Sequence, residues 1–132
     1  MILGFDPGRD KCGVAVLDKN LTIHYHQVIT ATNAIAKIQE LITQFNVDLI
    51  VMGNLTTSKS WYQQLQSVFE GVNIQMVDEK NSTLEARDRY WQMYPPQGLK
   101  KLIPKGLLVP SQPIDDIVAI LLIERYLSSD RR

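Results

Sequence analysis

Three groups of acids, far apart in the chain, stand where packing alone gives no need for charge. Asp6 closes the apolar run Ile2-Leu3-Gly4-Phe5, Asp78-Glu79 follow Asn73-Ile74-Gln75-Met76-Val77, and Asp115-Asp116 open the apolar stretch from Ile117 to Leu127. Each has an ordinary explanation, since Asp-Pro-Gly makes a turn and acids at the start of a helix are favoured by its dipole. If the three groups meet, the carboxylates repel and raise one another's pKa, which is costly unless a divalent cation neutralises them. Hard oxygen ligands of this kind suit Mg²⁺ or Mn²⁺. Two such ions, roughly 4 Å apart, can activate a water and stabilise the leaving oxygen of a phosphodiester.

Whether the acids meet depends on the elements that carry them. Met1 to Phe5 and Cys12 to Leu17 are short apolar runs parted by a turn. Leu21 to Ile29 alternates Leu21, Ile23 and Tyr25 with Thr22, His24 and His26, the period of a half-buried strand. The three form an antiparallel meander. His24 and His26 share one strand face, as two exposed edge residues or as a metal pair.

Asn33 would cap a helix whose Ile35, Ile38, Leu41, Ile42 and Phe45 keep helical spacing. Val47 to Met52, ending in Gly53, reads as a strand buried on both faces. A helix from about Ser58 to Glu70 puts Trp61, Leu65, Val68 and Phe69 inward, and Asn73 to Val77 is the next strand. Ser82-Thr83-Leu84-Glu85 has the pattern of a capping box, with Ser82 as the cap of a helix that runs to about Met93. Tyr94-Pro95-Pro96 ends it. Residues 94–113 hold all but one of the six prolines, with Lys100, Lys101 and Lys105, and form a long irregular loop. Ile114 to Leu127 is a helix apolar enough to be largely buried.

Three meander strands followed by two helix-strand units predict an α/β domain over residues 1–132, with a five-stranded mixed sheet in the order 3-2-1-4-5. The first, fourth and fifth strands then run parallel. Their carboxyl ends, carrying Asp6, Gly53-Asn54 and Asp78-Glu79, form the edge at which open α/β sheets bind ligands. The last helix could bring Asp115 or Asp116 to the same edge.

Composition narrows the partners. Fourteen acids balance fourteen bases, so the chain is not the strongly basic kind that coats nucleic acid, and any such partner must be gripped by a local patch. Lys11, Arg87, Arg89, Lys100, Lys101 and Lys105 could supply one. The single Cys12 sits in an apolar strand, as a small buried residue. No stretch has the order of a secretory signal or the length to cross a bilayer, so the chain reads as cytoplasmic, with no membrane partner.

Asp6-Pro7-Gly8, with Lys11 and Gly13, resembles the D-x-G-x-x-x-x-G opening of ribonuclease H-like nucleases. Asp78-Glu79-Lys80-Asn81-Ser82-Thr83-Leu84-Glu85-Ala86 resembles the D-E-x-x-[ST]-T-x-E-A segment of the YqgF (RuvX-type) family, whose members are Holliday-junction-resolvase-like and linked to processing of precursor 16S ribosomal RNA. Ile114-Asp115-Asp116 through Leu127 resembles that family's terminal helix. The likeness spans nearly the whole chain. It departs at Gly53-Asn54-Leu55, where the family usually has G-x-P, and in the longer, proline-rich 94–113 stretch.

The resemblance implies a ribonuclease H-like fold and a metal-dependent nuclease acting on junction DNA or precursor ribosomal RNA. It implies Asp6, Glu79 and an acid of the last helix as catalytic ligands of Mg²⁺ or Mn²⁺. Asp115 suits the YqgF spacing to Tyr126, whereas Asp116 suits the D-x-x-A spacing of RuvC-type resolvases; Asp115 is preferred as the ligand. A junction enzyme would work as a homodimer, because two symmetric cuts need two sites. The rival reading is a catalytically silent nucleic-acid-binding or ribosome-associated module of the same fold.

Overall fold

The alternation of apolar side chains along the central strands decides the layers. The computed structural model describes every residue but Thr56, Lys105, Gly106, Ser111, Arg131 and Arg132, and only the backbone of Ser129 and Asp130. Its strands are β1 (Ile2–Asp6), β2 (Lys11–Leu17), β3 (Ile23–Thr30), β4 (Leu49–Gly53) and β5 (Asn73–Val77). Its helices are α1 (Ala34–Phe45), α2 (Ser58–Val68), α3 (Ser82–Met93) and α4 (Asp115–Asp130), with short 3-10 turns at Ala31–Asn33 and Gly98–Leu102. The sheet order is β3-β2-β1-β4-β5, as the sequence predicts. β1 is antiparallel to β2 and parallel to β4, and β4 is parallel to β5.

Leu3, Phe5, Val14, Val16, Ile50 and Met52 point to one face, where Ile38 and Leu41 of α1 and Leu65 of α2 cover them. Ile2, Ala15, Leu17 and Val51 point to the other, against α3 and α4. In α4 every residue from Ile117 to Ile123 is buried. Side chains alternate along a strand, so Asp6 shares the α4 face with Ile2, and Gly13 shares it with Ala15 and Leu17. No described helix is long and apolar enough to cross a membrane.

Four local expectations are corrected. The third strand starts at Ile23, not Leu21, because Asp18 Oδ1 accepts the Asn20 and Thr22 backbone N–H groups and Leu21 takes φ 66°, which prolongs the turn. Leu17 pairs with Ile23 but Val16 with Tyr25, so His24 is the extra residue of a bulge. It bonds Asp18 Oδ2 at 2.9 Å, while His26 turns to α4, and the two histidines form no metal pair. The second helix ends at Val68, which is exposed, while Phe69 just beyond it closes the core. Asn81, with φ 63°, stands at the N-cap of α3 and makes no side-chain cap bond. Ser82 is instead the first helical residue, buried, its N–H donating to the Glu79 carbonyl at 2.9 Å.

Candidate active site at the carboxyl edge of the sheet

Glycines let the acids approach. Asp6, the last residue of β1, pairs across the ladder with Gly13. A Cβ on Gly13 would stand 1.9 Å from the Asp115 carbonyl oxygen, so the first turn of α4 rests directly on β2 beside Asp6. A Cβ on Gly4 would stand 2.3 Å from the Ala119 carbonyl oxygen, which lays the next turn of the helix along β1. At the end of β4 a Cβ on Gly53 would stand 1.9 Å from the Glu79 carboxyl carbon and 2.3 Å from its Oε2. Glu79 thus lies over the end of β4, and its backbone N–H donates to the neighbouring Asn54 Oδ1 at 3.3 Å.

Three carboxylates from three segments meet there. Asp6 is in side-chain hydrogen-bond contact with both Glu79 and Asp115. Burial, then the bond and charge of Glu79, then those of Asp115, push Asp6 up to about 9. Asp115 is also raised, first by burial and further by the charge of Asp116, against the lowering effects of a backbone hydrogen bond, of Lys11 and of Asp6. Glu79 is 3% exposed, and its Oε2 is buried without a hydrogen-bond partner. A buried carboxylate oxygen left unpaired is expensive, and a cation is the partner that suits it. Among the described residues no three His, Cys, Asp or Glu side chains are already splayed as a ligand set. Asp6 instead bonds its neighbours, as carboxylates do when protons lie between them. The donor set, all hard oxygen and short of positive charge, fits a divalent cation.

The two acids of α4 part company. Asp115 faces Asp6, whereas Asp116 Oδ2 bonds His26 Nδ1 of β3 at 2.7 Å and its Oδ1 accepts the Ile117 N–H at 2.9 Å. Asp78 accepts the Lys80 N–H at 3.0 Å, and its carbonyl accepts from Arg125 Nη1 at 2.7 Å. Of the predicted nucleic-acid contacts, Lys11 is exposed and near enough to act on Asp115. Lys100 and Lys101 are exposed on the 3-10 turn. Arg87 donates to the Leu108 carbonyl at 3.0 Å and so ties down the proline-rich loop. Lys105 lies outside the described residues. Sequence reasoning missed the His26–Asp116 pair and the packing role of Gly4, Gly13 and Gly53. The glycines had a signal, because each interrupts an otherwise apolar strand.

The RuvX family profile, described as Holliday junction resolvase, matches residues 1–129. Proteins of two Coxiella burnetii strains, each named "Putative pre-16S rRNA nuclease", are 29% identical over 153 aligned positions, which cover 98% of this chain and 93% of theirs. Among solved structures, the Fowlpox virus resolvase in complex with Holliday junction DNA superposes with TM-score 0.63 at 14% identity, over 99% of each chain. Thermus thermophilus RuvC superposes with TM-score 0.58 at 13% identity, over 98% of this chain and 95% of its own. These likenesses establish the ribonuclease H-like fold.

Proposed function

The chain belongs to the RuvX Holliday junction resolvase family, and on that premise we propose that it is a divalent-metal-dependent nuclease cutting phosphodiester bonds in structured nucleic acid. Asp6, Glu79 and Asp115 would hold the cation; Asp116 stays outside that set, engaged by His26. Bound Mg²⁺ or Mn²⁺ would supply charge for the phosphoryl oxygens and acidity for a water nucleophile. The chain's own part is to hold the carboxylates in place and to release protons. Asp6, pushed up to about 9, must lose its proton to become a ligand. Gly53 leaves room for the Glu79 carboxyl, and the first turn of α4 holds Asp115 against β2. Lys11 stands beside Asp115 with a positive charge for substrate phosphate. No side chain needs to attack the phosphorus, so no covalent enzyme intermediate forms.

The observation that carries this reading is the buried convergence of three acids with one carboxylate oxygen unpaired. The substrate is four-way junction DNA or precursor ribosomal RNA, and cutting a junction symmetrically would take two copies of the chain. The test is cleavage of both labelled substrates in Mg²⁺ and in Mn²⁺, with and without chelator, beside Asp6→Asn. Metal-dependent cutting lost in the variant supports the nuclease and names its substrate. Equal binding without cutting by either protein replaces it with the silent binding module.

A further inference from the structure

A cleft that the acid chemistry does not use lies beside the acids. Its volume is about 330 Å³, and its walls include His26, Tyr90, Tyr94, Gln112, Pro113 and Asp116. The register places it. Asp6 pairs with Gly13, Gly13 pairs with Val28, and Val28 lies in the cleft wall. Two strand spacings put that wall about 10 Å from Asp6. The first turn of α4, seated on Gly13, stands between the two, so a strand whose phosphate lay at the acids would pass over that turn to bring a neighbouring base to the cleft.

The lining is of mixed character. The His26 and Asp116 side chains are only 27% and 14% exposed and are bonded to each other, so His26 Nδ1 is engaged and its Nε2 edge is left for a ligand. The Tyr90 and Tyr94 rings stand 5.1 Å apart and tilted by 47°, forming a wedge rather than a closed stack. Tyr94 is 46% exposed where Pro95 stops the helix. Lys100 lines the adjoining cleft, which shares both tyrosines, so a cation stands on the far side of the aromatic wall. A cleft at the small end of ligand sites, aromatic on one side and hydrogen-bonding on the other, suits one planar heterocycle. Unpaired nucleotides are held in this way, by stacking on aromatic rings and bonds to the base edge.

We propose that this cleft receives one unstacked nucleobase of the substrate strand, next to the phosphate at the acids. The proposal rests on the nuclease reading for its substrate, but its first test needs no cleavage. The chain has two histidines, so the His26 ring proton signals are assigned in a spectrum of His24→Asn. Nucleoside monophosphates should move the His26 signals, and ribose 5-phosphate, which lacks the base, should not. Tyr94→Phe should keep the affinity, and Tyr94→Ala should weaken it on the order of tenfold. Tyr94 is exposed enough that its loss should leave the fold intact, which an unchanged melting curve verifies. The second test replaces unpaired nucleotides of a junction and of an RNA hairpin one at a time by abasic ones, with binding measured in Ca²⁺. A position whose loss weakens wild type but not Tyr94→Ala assigns the cleft to a base within the strand. Shifts equal for ribose 5-phosphate, or an affinity indifferent to Tyr94→Ala, would overturn the proposal. Mononucleotide binding with no abasic effect would make the cleft a free-nucleotide site and overturn its assignment to the substrate. Nucleobase binding by a protein that cuts nothing would refute the nuclease reading while leaving the base site standing.

Discussion

Without metal, replacing the central acid should stabilise the protein. Asp6 has an ordinary pKa of 3.8 and is pushed up to about 9 in the fold. Between those values the folded chain binds a proton that the unfolded chain has lost, so the contribution of Asp6 to stability is greatest below pH 3.8 and falls as pH rises towards 9. At pH 7 the accumulated loss is on the order of 2–4 kcal/mol, with the upper figure holding if no water reaches the carboxyl. Asn has nearly the same shape and no charge to desolvate. In chelator, Asp6→Asn should therefore match wild type near pH 4 and exceed it by that amount at pH 7. Urea denaturation from pH 4 to 9 checks this. Adding Mn²⁺ should reverse the order, because the cation binds the folded wild type and lacks a ligand in the variant. A variant less stable than wild type at pH 7 in chelator, with an unchanged pH slope, would refute the claim that Asp6 is held against its charge.

Three further outcomes separate the parts of the site. Gly53→Ala meets the movable end of Glu79, whereas Gly13→Ala meets the Asp115 backbone. The first should abolish cation-dependent stabilisation with little change in urea midpoint, and the second should cost about 1–3 kcal/mol; equal destabilisation with the cation response intact would contradict the packing argument. His26→Ala leaves a half-buried Asp116 carboxylate short of a partner and should cost about 1–3 kcal/mol, most of it recovered in a His26→Ala/Asp116→Asn double variant; additive losses would show that the pair is not coupled. Lys11→Ala should lower the salt slope of nucleic-acid binding by about one without changing stability, while Arg87→Ala should lower the melting temperature, because its guanidinium holds Leu108; the opposite assignment in paired melting and binding curves would move the basic contact to Arg87.

What the sequence made legible was whatever depends on local pattern and topology. Asn73–Val77 is bounded by turn residues and appears as β5 with those limits. The strand order follows from the meander and right-handed crossovers. Asp6, Glu79 and Asp115 are legible because each ends or begins an apolar element, and the topology brings those ends together. Contacts set by another part of the chain were not legible. The bulge at His24 depends on the register of β2 against β3, and His26 meets an acid 90 residues away. The Ser82-Thr83-Leu84-Glu85 pattern suggests a cap at Ser82, but the tight corner after Glu79 draws Ser82 into the first turn and gives the cap position to Asn81.

That corner and the first turn of α4 show how the fold tolerates its acids. Once Asp6 gives up its proton to take a cation, its charge would drive Asp115 away, and the obvious route is for α4 to slide or lift. It is held by the buried stretch just behind its acids. Seven consecutive residues, Ile117 to Ile123, are buried, among them Ile117, Ile120, Leu121, Leu122 and Ile123. Burying such side chains is worth about 1.5–3 kcal/mol each, so moving the helix by one residue would forfeit on the order of 10 kcal/mol. The acids resist with the few kcal/mol estimated for Asp6. Gly4 and Gly13 fix the same register by steric means, because only there does the helix backbone find strands without side chains beneath it. The apolar face of α4 and these glycines therefore act as parts of the acidic site. A substitution in either should change cation affinity even where no carboxylate has been touched.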